Sequence, residues 1–373
     1  MSTKTPYLIL CVFGLAVLMG CNKDTTPNLE LDPEVQEVQK LVQQAVDELE
    51  ADYATWNNPS DELGIRKTVV VPAGSVDALA DAIAEAGPNG RVVVKSGMHF
   101  ESSTVVVDIP VRIDGEDGAV ISLHTEPDLA GWVLNPALHV LNTSGARISG
   151  LTIRSPQGSG NTGILVQDAP DTWLVNNEVG PHQFGVILQD SPRTRAYDNT
   201  IEGNGNIWGF IIASDFVKLK GNRVSGYSIN IFLGGKRGIA YKNHASGNSG
   251  FTNFLLCTPQ FYTLPDGTFL ARDEKYTTHK WIVTSNTAEN KGRNYVVMDG
   301  ANTSKLYQNR SLNAGNHDIL LNGDIPSQGF PTSADNTVIS IGNYRDYRIQ
   351  DCGQNNRIIG GDLIDNNTVP CAQ

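Results

Sequence analysis

One short unit is written repeatedly between residues 163 and 323. Its apolar strand reads GILVQD at 163–168, GVILQD at 185–190, GFIIAS at 209–214, NIFLGG at 230–235, NFLLCT at 253–258, YVVMDG at 295–300 and DILLNG at 318–323. A second landmark is an asparagine, at Asn177, Asn199, Asn222, Asn243, Asn286 and Asn309. The asparagine steps are 22, 23, 21, 43 and 23 residues, and 43 is two units long. A period in the low twenties, with one apolar strand and one polar turn per unit, leaves little choice of architecture. No unit can bury its own apolar face, so neighbours must stack into a solenoid.

The units are made of Val, Ile, Gly and Asn, not of leucine-patterned or helical segments. The expected fold is therefore all-β, a right-handed parallel β-helix with short N-terminal helices. Each coil stacks on the last at the strand spacing, and about ten coils make a rod of roughly 45 Å. Asparagine suits the recurrent turn because it tolerates left-handed backbone angles and bonds locally. Stacked asparagines can also pass amide hydrogen bonds along the axis.

Ahead of the solenoid the chain changes character. Lys4 is followed by an apolar run over 7–19 that ends in Leu18, Met19, Gly20 and Cys21. The run is too short to span a bilayer and has the layout of an export signal. Its Leu-x-Gly-Cys ending resembles a bacterial lipoprotein signal. That resemblance implies cleavage before Cys21 and lipidation of Cys21, which anchors a chain without spanning. The domains expected are a signal over 1–20, a polar tether over 21–33, an amphipathic helix and linker over 34–60, and the β-helix over 61–373. The expected place is the bacterial cell envelope, lipid-anchored at the outer membrane.

Val35, Val38, Leu41, Val42, Ala45, Val46, Leu49 and Tyr53 recur at three and four residues, which predicts the helix. A second short helix is expected over 75–83, then strands within 90–100 and 105–115. This order of capping helix, strand, glycine turn and further strands resembles the start of pectate-lyase-like β-helices. The resemblance covers about residues 68–373, and it is one of architecture, which fixes no chemistry. Among the cysteines, Cys352 and Cys371 are expected to close a disulfide loop of 19 residues, as an exported protein permits. Cys257 is left unpaired. Neither metal-ligand spacing nor a nucleotide-binding glycine motif is present, so the sequence names no metal ligands and leaves any cofactor unknown. With 40 acidic against 28 basic residues and a net charge of −12, nucleic acid is not an expected partner.

Strand alternation sorts the faces. In the apolar strand the inward rows are expected to be Ile164, Val186, Phe210, Ile231, Phe254, Val296 and Ile319, and two residues later Val166 to Met298 and Leu321. The row between them, Leu165, Ile187, Ile211, Phe232, Leu255, Val297 and Leu320, then points out. Such an apolar stripe is rarely bare on a monomer. Either the helix at 34–53 or a loop covers it, or a protein partner or second copy does. In the next strand Leu174, Ala196, Leu219, Ala240, Val283 and Leu306 point in. Their outward neighbours include Arg195, Tyr197, Lys218, Lys220 and Tyr241, cations interleaved with rings. That pattern suits an anionic polysaccharide.

Two insertions break the period, at 258–280 and 324–336, on either side of the coil of Tyr295. Long insertions on a rigid scaffold are commonly functional. Walling a cleft over Asp299, Lys305 and Tyr307, with His279 from a lid, they would supply the parts to remove the proton beside a uronate carboxyl. These four are the candidate catalytic residues. The motifs of polygalacturonases and the calcium cluster of pectate lyases are absent. GPHQ at 180–183 is similar to the Asp-Pro-His-Asp of alginate C5-epimerases, with both aspartates replaced. The function expected is binding or modification of an anionic polysaccharide, by lyase or C5-epimerase chemistry if catalytic. The alternative is a non-catalytic binding or assembly lipoprotein that uses the apolar stripe.

Overall fold

The computed structural model describes residues 32–57, 64, 66–125, 134–157, 160–247, 250–258, 261–263, 269–271, 277–322, 332–344, 346–366 and 371. The signal, Cys21 and most of the tether lie outside them, as do most of the two insertions.

The chain is a parallel β-solenoid. A twelve-stranded sheet runs in strict sequence order from Thr68–Val71 to Arg357–Gly360. An eighteen-stranded sheet forms the other two sides of the coil. One side carries long apolar strands such as Gly160–Gln167 and His182–Gln189. The third side carries short polar strands, among them His244–Ser246, Thr287–Glu289 and Arg310–Leu312. Thr200–Ala213 and Arg223–Gly234 run through the corner between these sides, with a register shift between Glu202 and Asn206. Inside, one apolar core continues from Val71 to Ile349.

The recurrent asparagines form a ladder. Each Oδ1 accepts from the backbone N–H and the Nδ2 of the ladder residue one coil before. Asn222 Oδ1 receives Asn199 N at 3.1 Å and Asn199 Nδ2 at 2.9 Å. Each Nδ2 also donates to a carbonyl of an earlier coil, as Asn222 does to Ala196 O at 2.8 Å. The same pattern holds from Asn177 through Asn309. Asn243 bonds directly to Asn286, so the 43-residue step is one coil lengthened by the insertion and not two units. The left-handed residue of the turn is not the asparagine but its predecessor: Asn176, Asp198, Gly221, Lys242, Ser285 and Gln308 all have φ between 48° and 68°. Asparagine is needed here for its amide, which both donates and accepts, rather than for its backbone freedom.

A second ladder, Asn230–Asn253–Asn294, runs inside the corner before the apolar strands, with Oδ1 contacts of 2.6 and 2.7 Å. It corrects the expected register of one coil. Asn294 occupies the place of Asn253, so Tyr295, not Val296, lies over Phe254. Tyr295 and Val297 therefore enter the core, Tyr295 stacking on Phe254 at 5.0 Å. Val296 and Met298 face outward. The rest of the outward row is as expected, but it is not bare: Leu165, Ile187, Ile211, Phe232, Leu255 and Leu320 are 1–5% exposed. Of the covers considered for this stripe, helix or loop on one hand and partner or second copy on the other, the chain itself supplies one: the row is buried in a cluster with Leu134, Phe184, Ile229 and Met298.

The N-terminal helix α1 (Pro33–Asn57) does not cover that stripe; it lies on the twelve-stranded sheet. Val35, Val38, Val42 and Leu49 are buried there, whereas Leu41, expected on the same face, is 46% exposed. The shorter helix α2 (Leu79–Ala86) caps the first coil with Leu79, Ala82, Ile83 and Ala86. Glu101 accepts the Leu79 N–H at 3.2 Å at its start. His99, 0% exposed, is held between Ser75 Oγ and the Lys95 carbonyl. At the far end Cys352 and Cys371 are joined in a disulfide, and Cys257 is free and buried.

Candidate functional site

The cationic and aromatic face expected to take substrate is the dock of α1. Asp52 pairs with Arg195 at 3.2 Å and with Lys218, and Glu50 with Lys220 at 2.6 Å. Tyr53 packs edge-on against Tyr197 at 5.4 Å and donates to Asp198 at 2.6 Å. Tyr197 is 0% exposed, and burial raises its phenol well above the usual range. Tyr241 packs on the same cluster. Charges and rings that suit a polyanion equally suit an acidic amphipathic helix of the same chain. The choice between them needs long-range contacts that no repeat unit contains.

The four candidate catalytic residues are not brought together. Lys305 and Tyr307 flank Leu306 on the face toward α1. Lys305 Nζ donates to Thr337 Oγ1 at 2.7 Å, and burial holds its amine below the usual range. It lines a groove of about 840 Å³ beside Glu34, Glu37 and Arg357. Tyr307, 8% exposed, packs with Val35, Val38 and Val42. Asp299, expected outward, is 1% exposed at the end of an apolar strand, with the Cys257 thiol 3.6 Å away. It ends the strand as a left-handed turn residue, φ 52°, closed in beside Cys257 of the buried outer cluster rather than facing solvent. His279 bridges Lys236 and Asn302 in a separate turn, and its imidazole is held below its ordinary range, mainly by burial. The cleft expected between the insertions falls largely outside the described residues.

GPHQ at 180–183 is a packing feature. A Cβ on Gly180 would lie 2.1 Å from the Glu202 carbonyl oxygen, so no aspartate can stand there. His182 is 0% exposed, and burial lowers its pKa to about 4.

With one long side under α1 and another buried, the third side is the open one among the described residues. Its outward row runs Glu178, Thr200, Arg223, His244, Thr287 and Arg310, each in register with the next. The second outward row includes Arg154, Glu202, Ser225, Ser246 and Glu289. His244 Nε2 lies 2.9 Å from Glu289 Oε1, with side chains 38% and 26% exposed. Arg223 stands directly on one side of His244, and Arg310 one strand beyond Thr287 on the other. Both are exposed. Nearer the N-terminal end the same side opens into a groove of about 340 Å³ lined by Arg154, Glu178 and Glu202.

The arrangement offers two guanidiniums for anionic groups and, between them, an imidazole held by a carboxylate. Among the described residues no three His, Cys, Asp or Glu side chains are placed to hold a metal ion. This row was legible, since each of its members directly follows a ladder asparagine. It was missed because only two of the three sides of the coil were followed.

Residues 132–261 match the family model described as right handed beta helix region. Solved structures similar to the chain include polysaccharide lyases and epimerases. A pectate lyase has 11% identity and a TM-score of 0.47, over 84% of this chain and 83% of its own. The A-module of an Azotobacter vinelandii mannuronan C-5 epimerase has 14% identity and a TM-score of 0.46, over 78% of this chain and 94% of its own. The Dettilon tailspike protein has 14% identity and a TM-score of 0.43; the match covers 78% of this chain but only 58% of the tailspike. No curated protein matches the chain. Coil stacking, strand register and the match over residues 132–261 agree on a right-handed parallel β-helix fold.

Proposed function

We propose that this is a carbohydrate-active β-helix protein, lipid-anchored through Cys21 in the bacterial envelope at the outer membrane, that takes an anionic polysaccharide along its third side. The observation that carries the reading is the open row Arg223–His244–Thr287–Arg310, with His244 against Glu289. An extended uronate chain presents carboxylates in series, and the two arginines can each take one by paired N–H donors.

Between them His244 is the candidate base for the proton at C5 of a uronate. Arg223 or Arg310 would stabilise the negative charge that develops on the carboxyl as that proton leaves. If the C4–O bond then breaks, the electron pair of the lost C–H bond forms a C4–C5 double bond. The departing oxygen takes a proton, which is a lyase step. If a proton returns to the opposite face of C5, the product is the epimer. Glu289, 2.9 Å from Nε2, orients the imidazole.

The test uses the chain without residues 1–21 and a panel of alginate, pectate and glycosaminoglycans. Ultraviolet absorbance reports unsaturated uronate, and proton NMR reports inversion at C5. His244→Ala is expected to lower turnover by about 10²- to 10⁴-fold. Of Arg223→Ala and Arg310→Ala, the one that faces the reacting carboxyl is expected to lower kcat and the other chiefly to raise KM. Activity that survives His244→Ala removes this site. Binding without turnover across the panel leaves a non-catalytic binding protein.

A further inference from the structure

The direction in which α1 lies determines where the chain ahead of it emerges. At the start of the helix, Asp32 pairs with Arg357 at 2.8 Å, and Glu34 pairs with Arg357 as well. Arg357 begins the last strand of the twelve-stranded sheet. At the other end Trp56 lies under Arg112 and Arg147, at 5.5 and 5.8 Å, and stacks on Trp173 at 5.5 Å. Arg112, Arg147 and Trp173 belong to the third, fourth and fifth strands. The helix therefore runs against the order of the coils, from the C-terminal end of the rod toward the N-terminal end.

Length and charge both support this docking. A helix of 25 residues is about 37 Å long. The ten registered positions from Arg112 to Arg357 span roughly 43 Å. Along that span Arg195, Lys218 and Lys220 meet Asp52 and Glu50.

We infer that the solenoid is held with its C-terminal coils toward the bilayer and its N-terminal cap away from it. The inference rests on the proposed lipidation of Cys21. Cys21 precedes Asp32 by eleven residues (32 − 21), a reach of at most about 38 Å when fully extended. Asp32 sits at the last strand, and the first strand lies eleven spacings away, roughly 53 Å. The tether cannot bring the N-terminal cap onto the membrane beneath an upright rod. That cap carries the competing surface, the exposed side chains Val76, Met98 and Phe100, at 65%, 46% and 49%. They lie beyond the tether's reach while α1 stays docked. In the upright rod the His244 row runs away from the membrane, open to a polymer arriving from outside.

The test uses the full lipidated chain in phosphatidylethanolamine–phosphatidylglycerol vesicles that carry an energy acceptor on their headgroups. A donor dye is attached through Asn343→Cys near the C-terminal end, or through Asp81→Cys on α2. Both positions are exposed, and Cys257 is buried. Transfer is expected to be severalfold more efficient from position 343 than from position 81. Equal transfer, as in a rod lying flat, or the reverse order would overturn the orientation. The mass of the N-terminal peptide and vesicle flotation against Cys21→Ala are read in parallel. A lipidated, floating protein with equal or reversed transfer sinks the orientation and leaves the anchor standing. An unmodified protein that floats no better than Cys21→Ala sinks the anchor, and the orientation falls with it.

Discussion

A buried amide in this chain is worth more than a buried methyl, because it closes the accounts of its neighbours. Asn222 satisfies the Asn199 backbone N–H and side-chain amide while its own Nδ2 meets Ala196 O and Asn243 Oδ1. Asn222→Leu keeps the volume and strands those partners, at about 1–3 kcal/mol for each unsatisfied group. Urea unfolding is expected to register the loss. His182 gives the opposite kind of signal. Its folded pKa is about 4 against an ordinary 6.5, because burial disfavours the charged ring. Between those values the unfolded chain binds a proton that the folded chain refuses, so stability is lost as pH falls through that window. The loss from this group approaches about 3 kcal/mol. In His182→Gln the unfolding midpoint is expected to change less between pH 6.5 and 4. Asn294 shows what one residue decides. Aligned with Asn230 and Asn253 it sets Tyr295 over Phe254; overlooked, it turns the strand from Tyr295 to Met298 inside out.

Among the elements, α1 changes the meaning of the face beneath it. The helix was legible from its three–four periodicity, and the sheet rows from their alternation. Their meeting was not, because Asp52 and Lys218 are 166 residues apart. Leu49 is fully buried under this contact, and Leu49→Ala is expected to cost about 2–5 kcal/mol. Limited proteolysis is expected to cut first within α1 in that variant and in Asp52→Lys, which sets a cation against Arg195 and Lys218. Lys218→Ala is expected to loosen α1 while leaving polysaccharide binding unchanged, since that face is occupied. A fall in polysaccharide affinity without any change in proteolysis would return the face to substrate.

The whole molecule is a stack in which each coil contacts only its neighbours, so damage at one end stays near that end. Opening the Cys352–Cys371 bridge frees a loop of 19 residues, a loss of about 3 kcal/mol in the chain-entropy account. Hydrogen exchange is expected to quicken in the strands Thr337–Ser340 and Arg357–Gly360 under reduction, with Trp173–Val175 unchanged. Uniform quickening along the rod would show cooperativity that nearest-neighbour stacking does not provide.

From the sequence alone came the solenoid, its asparagine ladder, most inward rows and the two bridged cysteines. These depend on spacing within one unit or between adjacent units, and a repeat displays such spacing directly. Only the tertiary structure decided which of the three sides stays open. That outcome depends on where α1 docks and on what buries the apolar row, contacts between segments far apart in the chain. The cationic rows around Arg195 and around His244 look alike as strings of residues. One is closed by a helix and the other faces solvent, and that difference makes His244, rather than Lys305, the place to test for chemistry.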